Sequence, residues 1–328
     1  MENVRPNIVV LDGHTLNPGD NPWDELDQLG QLTIHDRTDP ADVLERSTGA
    51  EVLVINKIRL TADILNALPD LRLIAVTATG YDCVDVKAAA ARGISVVNVP
   101  VYGTHSVAQL TIAHLLHACH RIDLHDRAVK EGQWQREANF SFWLMPLHEL
   151  QGRTMGIVGL GRIGRQVATI ASALGMHILA TSRSRRDPPP LPQFAWADLR
   201  DLCEQSDVIS LHCPATPDTV GLIRAETLAW MRPTALLINV SRGTLIVEQD
   251  LADALNAGRL AGAALDVVAT EPIPADSPLL TARNCWITPH LAWATVEARQ
   301  RLMQQTVENI RAFLGGTPRN VVTPPRAN

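Results

Sequence analysis

Short apolar runs alternate with helical-looking stretches along nearly the whole chain. NIVVLD (7–12), LTIHD (32–36), EVLVIN (51–56), LRLIAVTAT (71–79) and SVVNV (95–99) form a first set. Most are almost continuously apolar, the pattern of parallel strands covered on both faces. Between them, DPADVLERSTG and VDVKAAAARG begin near an aspartate and end near a glycine, as capped helices do. One long helix is predicted from Thr104 to Lys130, ended by EGQW and followed by the aromatic-rich loop QWQREANFSFWLMP. A second set starts at Thr154: TMGIVGL (154–160), HILAT (177–181), DVISLH (207–212), ALLINV (235–240), GAALDV (262–267) and WITPH (286–290). The final stretch, TVEARQRLMQQTVENIRAFLGG, reads as one helix stopping at Gly315–Gly316. The pattern predicts an α/β protein with two doubly wound parallel sheets and right-handed crossovers.

Composition narrows the function. The 328 residues suffice for two domains, and the net charge of −6 lacks the basic balance typical of nucleic-acid binders. The five cysteines are odd in number and show no CxxC spacing, which suits a reduced, cytoplasmic protein. The start, MENVRPNIVVLDG, has no apolar signal-peptide core, and no apolar run reaches membrane-spanning length.

The second set opens with GIVGLGRIGRQVATIASALG, in which Gly159, Gly161 and Gly164 form GxGxxG between a strand and a helix. The first glycine permits a tight turn, the second lets backbone approach a pyrophosphate, and the third lets helix pack on strand. An acidic residue that binds the adenosine ribose is expected about 20 residues on. That position is Ser182, and no Asp or Glu occurs from Gly159 to Arg186. Ser182 is followed by Arg183, Arg185 and Arg186, which suits a 2′-phosphate better than a bare hydroxyl. NADPH is therefore the preferred coenzyme on this reading, with NADH usable. The plainer alternative is a solvated basic loop.

Three later segments end strands with chemistry. NVSRGTLIVEQDLADAL carries Arg242, GAALDVVATEP carries Asp266 and Glu271, and NCWITPHLAWAT carries His290. In an open α/β sheet such ends line the ligand crevice. Here the sequence resembles the D-isomer-specific 2-hydroxyacid dehydrogenases, with ATGYDCVDV, GTHSVAQ, GIVGLGRIG, INVSRG, ALDVVATEP and ITPHLAWAT in the family's order. The likeness is narrowest to glycerate dehydrogenases, also called hydroxypyruvate reductases, and to glyoxylate reductases, through LDGHTLNPGDNPW, the FSFW loop and PHLAWAT.

The resemblance implies roles. Arg242 would grip the substrate carboxylate and carbonyl. His290 would protonate the carbonyl oxygen, and Glu271 would hold the imidazole and favour its charged form. Thr79 and Gly80 would hold the carboxylate through backbone N–H groups, and Lys57 adds charge at another strand end. Arg162 and Ile163 flank the pyrophosphate, while Thr104, Cys213, Thr219, Val240 and Asp266 match coenzyme-contacting positions. The family also implies a flavodoxin-like substrate domain, 1–99 plus 294–328, with an inserted Rossmann domain, 100–293, and an active site in the cleft between them. The predicted activity is reduction of glyoxylate or hydroxypyruvate to glycolate or D-glycerate. The rivals are another 2-hydroxyacid and a corepressor-like scaffold that senses nicotinamide dinucleotide.

The predicted long helix carries His114, His117, His120 and His125. Successive i+3 steps drift around a helix, so three do not share one narrow face, and no metal site is expected. The apolar loop with Trp134, Phe140, Phe142 and Trp143 is read with this helix as a homodimer interface through residues 104–150, after the family's pattern.

Overall fold

Val52–Ile55 (β3) and Leu73–Val76 (β4) lie side by side, every residue buried. They are the centre of a five-stranded parallel sheet with Asn7–Val10 (β1), Gln31–Ile34 (β2) and Ser95–Val97 (β5), in the order β2-β1-β3-β4-β5. That order is the flavodoxin-like one. Asp85 caps the helix Val86–Arg92 by accepting from the Ala88 N–H at 2.9 Å, and Gly93 ends it at φ +74°. The computed structural model describes residues 5–324. Two compact units result: one takes the chain up to Gly103 and again from Ala294, the other runs Thr104–Trp293.

The returning helix, Val296–Leu314, starts at its Thr295 cap. Arg299 is almost wholly buried on it and reaches both carboxylate oxygens of Asp20 at 2.5 and 2.6 Å. Its Nε donates to the Ala294 carbonyl, and Asn21 donates back to the Arg299 carbonyl. Asn309 meanwhile donates to the Asn98 carbonyl just beyond β5. These bonds tie the chain's last helix to segments nearly three hundred residues earlier.

The second sheet has seven parallel strands, one more than the apolar pattern predicts. They are Thr154–Val158 (β6), His177–Thr181 (β7), Phe194–Trp196 (β8), Val208–Leu211 (β9), Leu236–Asn239 (β10), Gly262–Leu265 (β11) and Cys285–Ile287 (β12), in the order β12-β11-β10-β9-β6-β7-β8. The extra strand, β8, is a three-residue edge strand just after a proline-rich segment, too short to give a periodic signal. The order reverses at β6, between β9 and β7, which is where open α/β sheets bind their ligands.

The long helix also departs from expectation. It forms two helices, Thr104–His120 and Ile122–Lys130, because Arg121 adopts a left-handed conformation at φ +41°. A single such residue ends the run of i→i−4 bonds. Among the described residues, no helix is long and apolar enough to cross a membrane. All five cysteines are free thiols.

The Asp20–Arg299 pair makes stability depend on pH. Hydrogen bonds from Arg299 hold the Asp20 carboxyl below its ordinary value of 3.8. A lowered folded-state pKa stabilises fully above the unfolded value and is lost as pH falls through the folded one. Asp20→Asn should therefore lower the melting temperature at pH 7, with the gap to the parent protein closing below about pH 3.8. Calorimetry from pH 7 to pH 2 checks this; a gap constant with pH would show that the pair carries no linkage.

Candidate active site

One row of paired residues crosses the second sheet: Thr181, Val158, Leu211, Asn239, Leu265 and Ile287 are register partners in turn. Each is the last residue of its strand, so Ser182, Gly159, Arg242, Glu271 and His290 all follow from the same carboxyl edge.

At the reversal point the three glycines differ physically. Gly159 has φ +99°, and an added Cβ would stand 2.7 Å from the Cys213 nitrogen, so both conformation and space exclude a side chain. A Cβ on Gly164 would stand 2.3 Å from the Gly159 carbonyl oxygen, which lets the helix Arg162–Ala173 sit close on β6. A Cβ on Gly161 meets nothing within 4 Å. The open space lies at a helix N-terminus whose first-turn N–H groups, on Arg162, Ile163 and Gly164, have no intrahelical partner. That combination fits a pyrophosphate.

Past β7, Ser182 is half-buried and Arg183, Arg185 and Arg186 are exposed. Arg185 donates to the Ala197 carbonyl at 2.9 Å. Arg165, from the glycine-turn helix, donates to the Arg186 carbonyl at 3.1 Å and so fixes the loop. Arg183 makes no salt bridge among the described residues. Cys213 and Val240 are buried at neighbouring strand ends; the Cys213 carbonyl accepts from Ser241 at 2.6 Å. The Thr219 hydroxyl closes its own turn by donating to the Pro214 carbonyl at 2.7 Å, and Thr104 begins its helix.

The catalytic candidates sit on three adjacent loops. His290 Nδ1 and Glu271 Oε2 are 2.6 Å apart. Glu271 Oε1 accepts from the Val268 N–H at 3.3 Å, which fixes the carboxylate from its own loop. His290 itself is left-handed, with φ +53°. Arg242 follows β10, and the Asn239 side chain donates to its carbonyl at 2.9 Å. Its guanidinium donates to the Ser241 carbonyl at 2.9 Å. The next residue, Gly243, touches the Glu271 loop: a Cβ there would stand 1.9 Å from the Val268 carbonyl carbon.

Asp266 is 1% exposed, and its contacts are internal. Oδ1 accepts from the Thr288 hydroxyl at 2.6 Å and the Leu291 N–H at 2.9 Å; Oδ2 accepts from the Ala292 N–H at 2.8 Å. The carboxylate thus holds the turn that presents His290.

In the first unit, Lys57 follows β3 and Thr79–Gly80 follow β4. Asp12, which pattern reading passed over, accepts from the Asn56 and Lys57 N–H groups at 2.7 and 2.6 Å. Burial raises its pKa against those backbone bonds. Thr79 donates its hydroxyl to the Val99 carbonyl, and Asn98 donates to the Thr79 carbonyl. Both loops are braced in place. Among the described residues no His, Cys, Asp or Glu cluster has the arrangement of a metal site.

Reducing a carbonyl calls for a hydride source and a proton donor, and a single sheet edge carries both a turn fit for a dinucleotide and an imidazole held by a carboxylate. The class is the NAD(P)-dependent oxidoreductases. Within it, the chain belongs to the D-isomer-specific 2-hydroxyacid dehydrogenases: the model of that family's NAD-binding domain matches residues 112–292. A hydroxypyruvate reductase of Blautia hydrogenotrophica is 47% identical over 96% of this chain and 99% of its own. A glycerate dehydrogenase of Methylorubrum extorquens is 43% identical over 86% of this chain and 88% of its own. Among solved structures, an NADPH-dependent glyoxylate/hydroxypyruvate reductase from Sinorhizobium meliloti, in complex with NADP and malonate, aligns with TM-score 0.83 at 33% identity over 99% of both chains. The protein is a 2-oxoacid reductase of this family.

Two alanine substitutions should separate the glycines. Gly161→Ala should leave the melting temperature unchanged and weaken dinucleotide binding at least tenfold, because its Cβ enters only open space. Gly243→Ala should cost about 1–3 kcal/mol, because its Cβ runs into backbone. Calorimetry and fluorescence titration with NADPH read both; equal stability losses would contradict the assignment.

Proposed function

We propose that the protein is an NADPH-preferring reductase of glyoxylate and hydroxypyruvate, giving glycolate and D-glycerate. The His290–Glu271 contact at 2.6 Å carries the reading. With Nδ1 turned to the carboxylate, Nε2 is the ring nitrogen left to face a substrate. A reduced dinucleotide held at the Gly159–Gly164 turn would supply the hydride for the carbonyl carbon. His290 gives its Nε2 proton to the carbonyl oxygen, Glu271 stabilises the imidazolium that precedes transfer, and a hydroxyl results. Arg242 orients the carboxylate by paired, charge-assisted hydrogen bonds. In the first unit, Lys57 and the Thr79 and Gly80 N–H groups are the donors we assign to binding an anion.

The coenzyme preference rests on Ser182 and Arg183. A 2′-phosphate carries charge that an exposed guanidinium matches, and an aspartate in place of Ser182 would repel it. The substrate reading follows the Blautia and Sinorhizobium relatives, whose names give hydroxypyruvate and glyoxylate.

The oligomer we propose is a homodimer through residues 104–150. Phe140 and Trp143 are 91% and 68% exposed, an apolar row that a lone chain leaves in water. A cavity of about 580 Å³ lies at the other edge of the second sheet, lined by Leu115, Met145, Pro146, Leu236, Gly262 and Trp286. It is distant from the chemistry, because Leu236 and Gly262 begin their strands. A second copy of the chain is the occupant that suits both features.

Oxidation of NADPH by glyoxylate and hydroxypyruvate, followed by absorbance, tests the activity; turnover of neither would refute it. His290→Ala should lower kcat by roughly 10²–10⁴-fold. Arg183→Ala should lower kcat/KM for NADPH by about 10–100-fold and leave NADH within a few-fold, which steady-state assays with both coenzymes decide.

A further inference from the structure

The turn that presents His290 is gripped from a second side. Thr288, two residues before the catalytic histidine, gives its only hydroxyl proton to Asp266 at 2.6 Å. His114 Nε2 lies 3.3 Å from that same hydroxyl oxygen. Since the oxygen's proton is already given, the contact requires Nε2 to carry the hydrogen and donate. His114 is 5% exposed on the helix Thr104–His120 and takes no part in the chemistry described above. The same helix reaches the turn a second time, where the buried Ser106 hydroxyl donates to the Ala292 carbonyl at 2.5 Å.

A non-glycine residue at φ +53° persists only where its surroundings over-determine it. Asp266 supplies one restraint, through the Leu291 and Ala292 N–H groups. It can do so only while its own carboxylate is held, and Thr288 is the side chain that holds it.

We propose that His114 is a positioning residue for His290, acting through Thr288 and Asp266. The helix and the sheet thus close on the turn together, and the order runs from a buried imidazole to a hydroxyl, a carboxylate and two backbone amides. Burial keeps the His114 imidazole below its ordinary pKa, with Asp266 opposing, so it serves as a fixed neutral donor and not as a second cation near His290.

This inference rests on the reductase reading, and the test separates the two. The experiment compares the parent protein with His114→Leu and with His114→Gln, whose amide keeps a donor. Hydroxypyruvate turnover, NADPH affinity and amide hydrogen exchange over residues 288–292 are measured for each. In His114→Leu, kcat should fall about tenfold at unchanged NADPH affinity, and the Leu291 and Ala292 amides should exchange faster. His114→Gln should regain most of both. Parent-like kcat and exchange in His114→Leu, or a glutamine variant as impaired as the leucine one, would overturn the proposal. Should His114→Leu fail to fold, His114→Met, which also lacks a donor, takes its place: slower turnover and faster exchange are expected, and parent-like values of both overturn the proposal. A parent protein that reduces no 2-oxoacid would sink the reductase reading, and the exchange comparison would still decide this one.

Discussion

The second unit is organised around one buried carboxylate. Asp266 collects three donors from the segment after β12, a hydroxyl and two amides, and so welds the end of β11 to the turn that carries His290. Burying a carboxylate is costly unless each lone pair finds a donor, so the group tolerates few alternative arrangements of that turn. The left-handed backbone at His290 is held because the alternatives would strand this charge. From there the imidazole reaches Glu271, whose own loop rests against the Arg242 loop through the bare face of Gly243. The three groups are thus held by contacts within the chain itself.

A similar economy appears at the dinucleotide end. Gly159 and Gly164 admit no side chain because backbone lies where Cβ would stand, whereas Gly161 stays bare with nothing protein near it. The distinction separates glycines that serve the fold from the one whose empty side suits a phosphate. In the first unit the braces are Asp12 and Asn98, polar side chains that hold loops by their backbone.

The parts readable from the chain were those with contiguous signals. Eleven of the twelve strands arise from apolar runs the pattern marks, because strands buried on both faces must be apolar. GxGxxG is readable for the same reason: its three glycines lie within six residues of each other. Arg242, Glu271 and His290 lie far apart in sequence; their places after successive strands point to one crevice, and the family likeness adds the role of each. The β8 strand and the break at Arg121 were not readable, one too short for a period and the other lacking glycine or proline. Nor was the internal engagement of Asp266, or the role of Asp12. A carboxylate's partners depend on tertiary contacts that local spacing does not encode.

The five thiols have a practical consequence. Burial pushes Cys83 up to about 11 and Cys203 and Cys285 up to about 12, and it raises Cys119 and Cys213 as well. Near neutrality such sulfurs stay protonated and react sluggishly with alkylating reagents and peroxide. A cysteine introduced on the surface, with an ordinary thiol pKa, should therefore take up a maleimide dye faster than the native five.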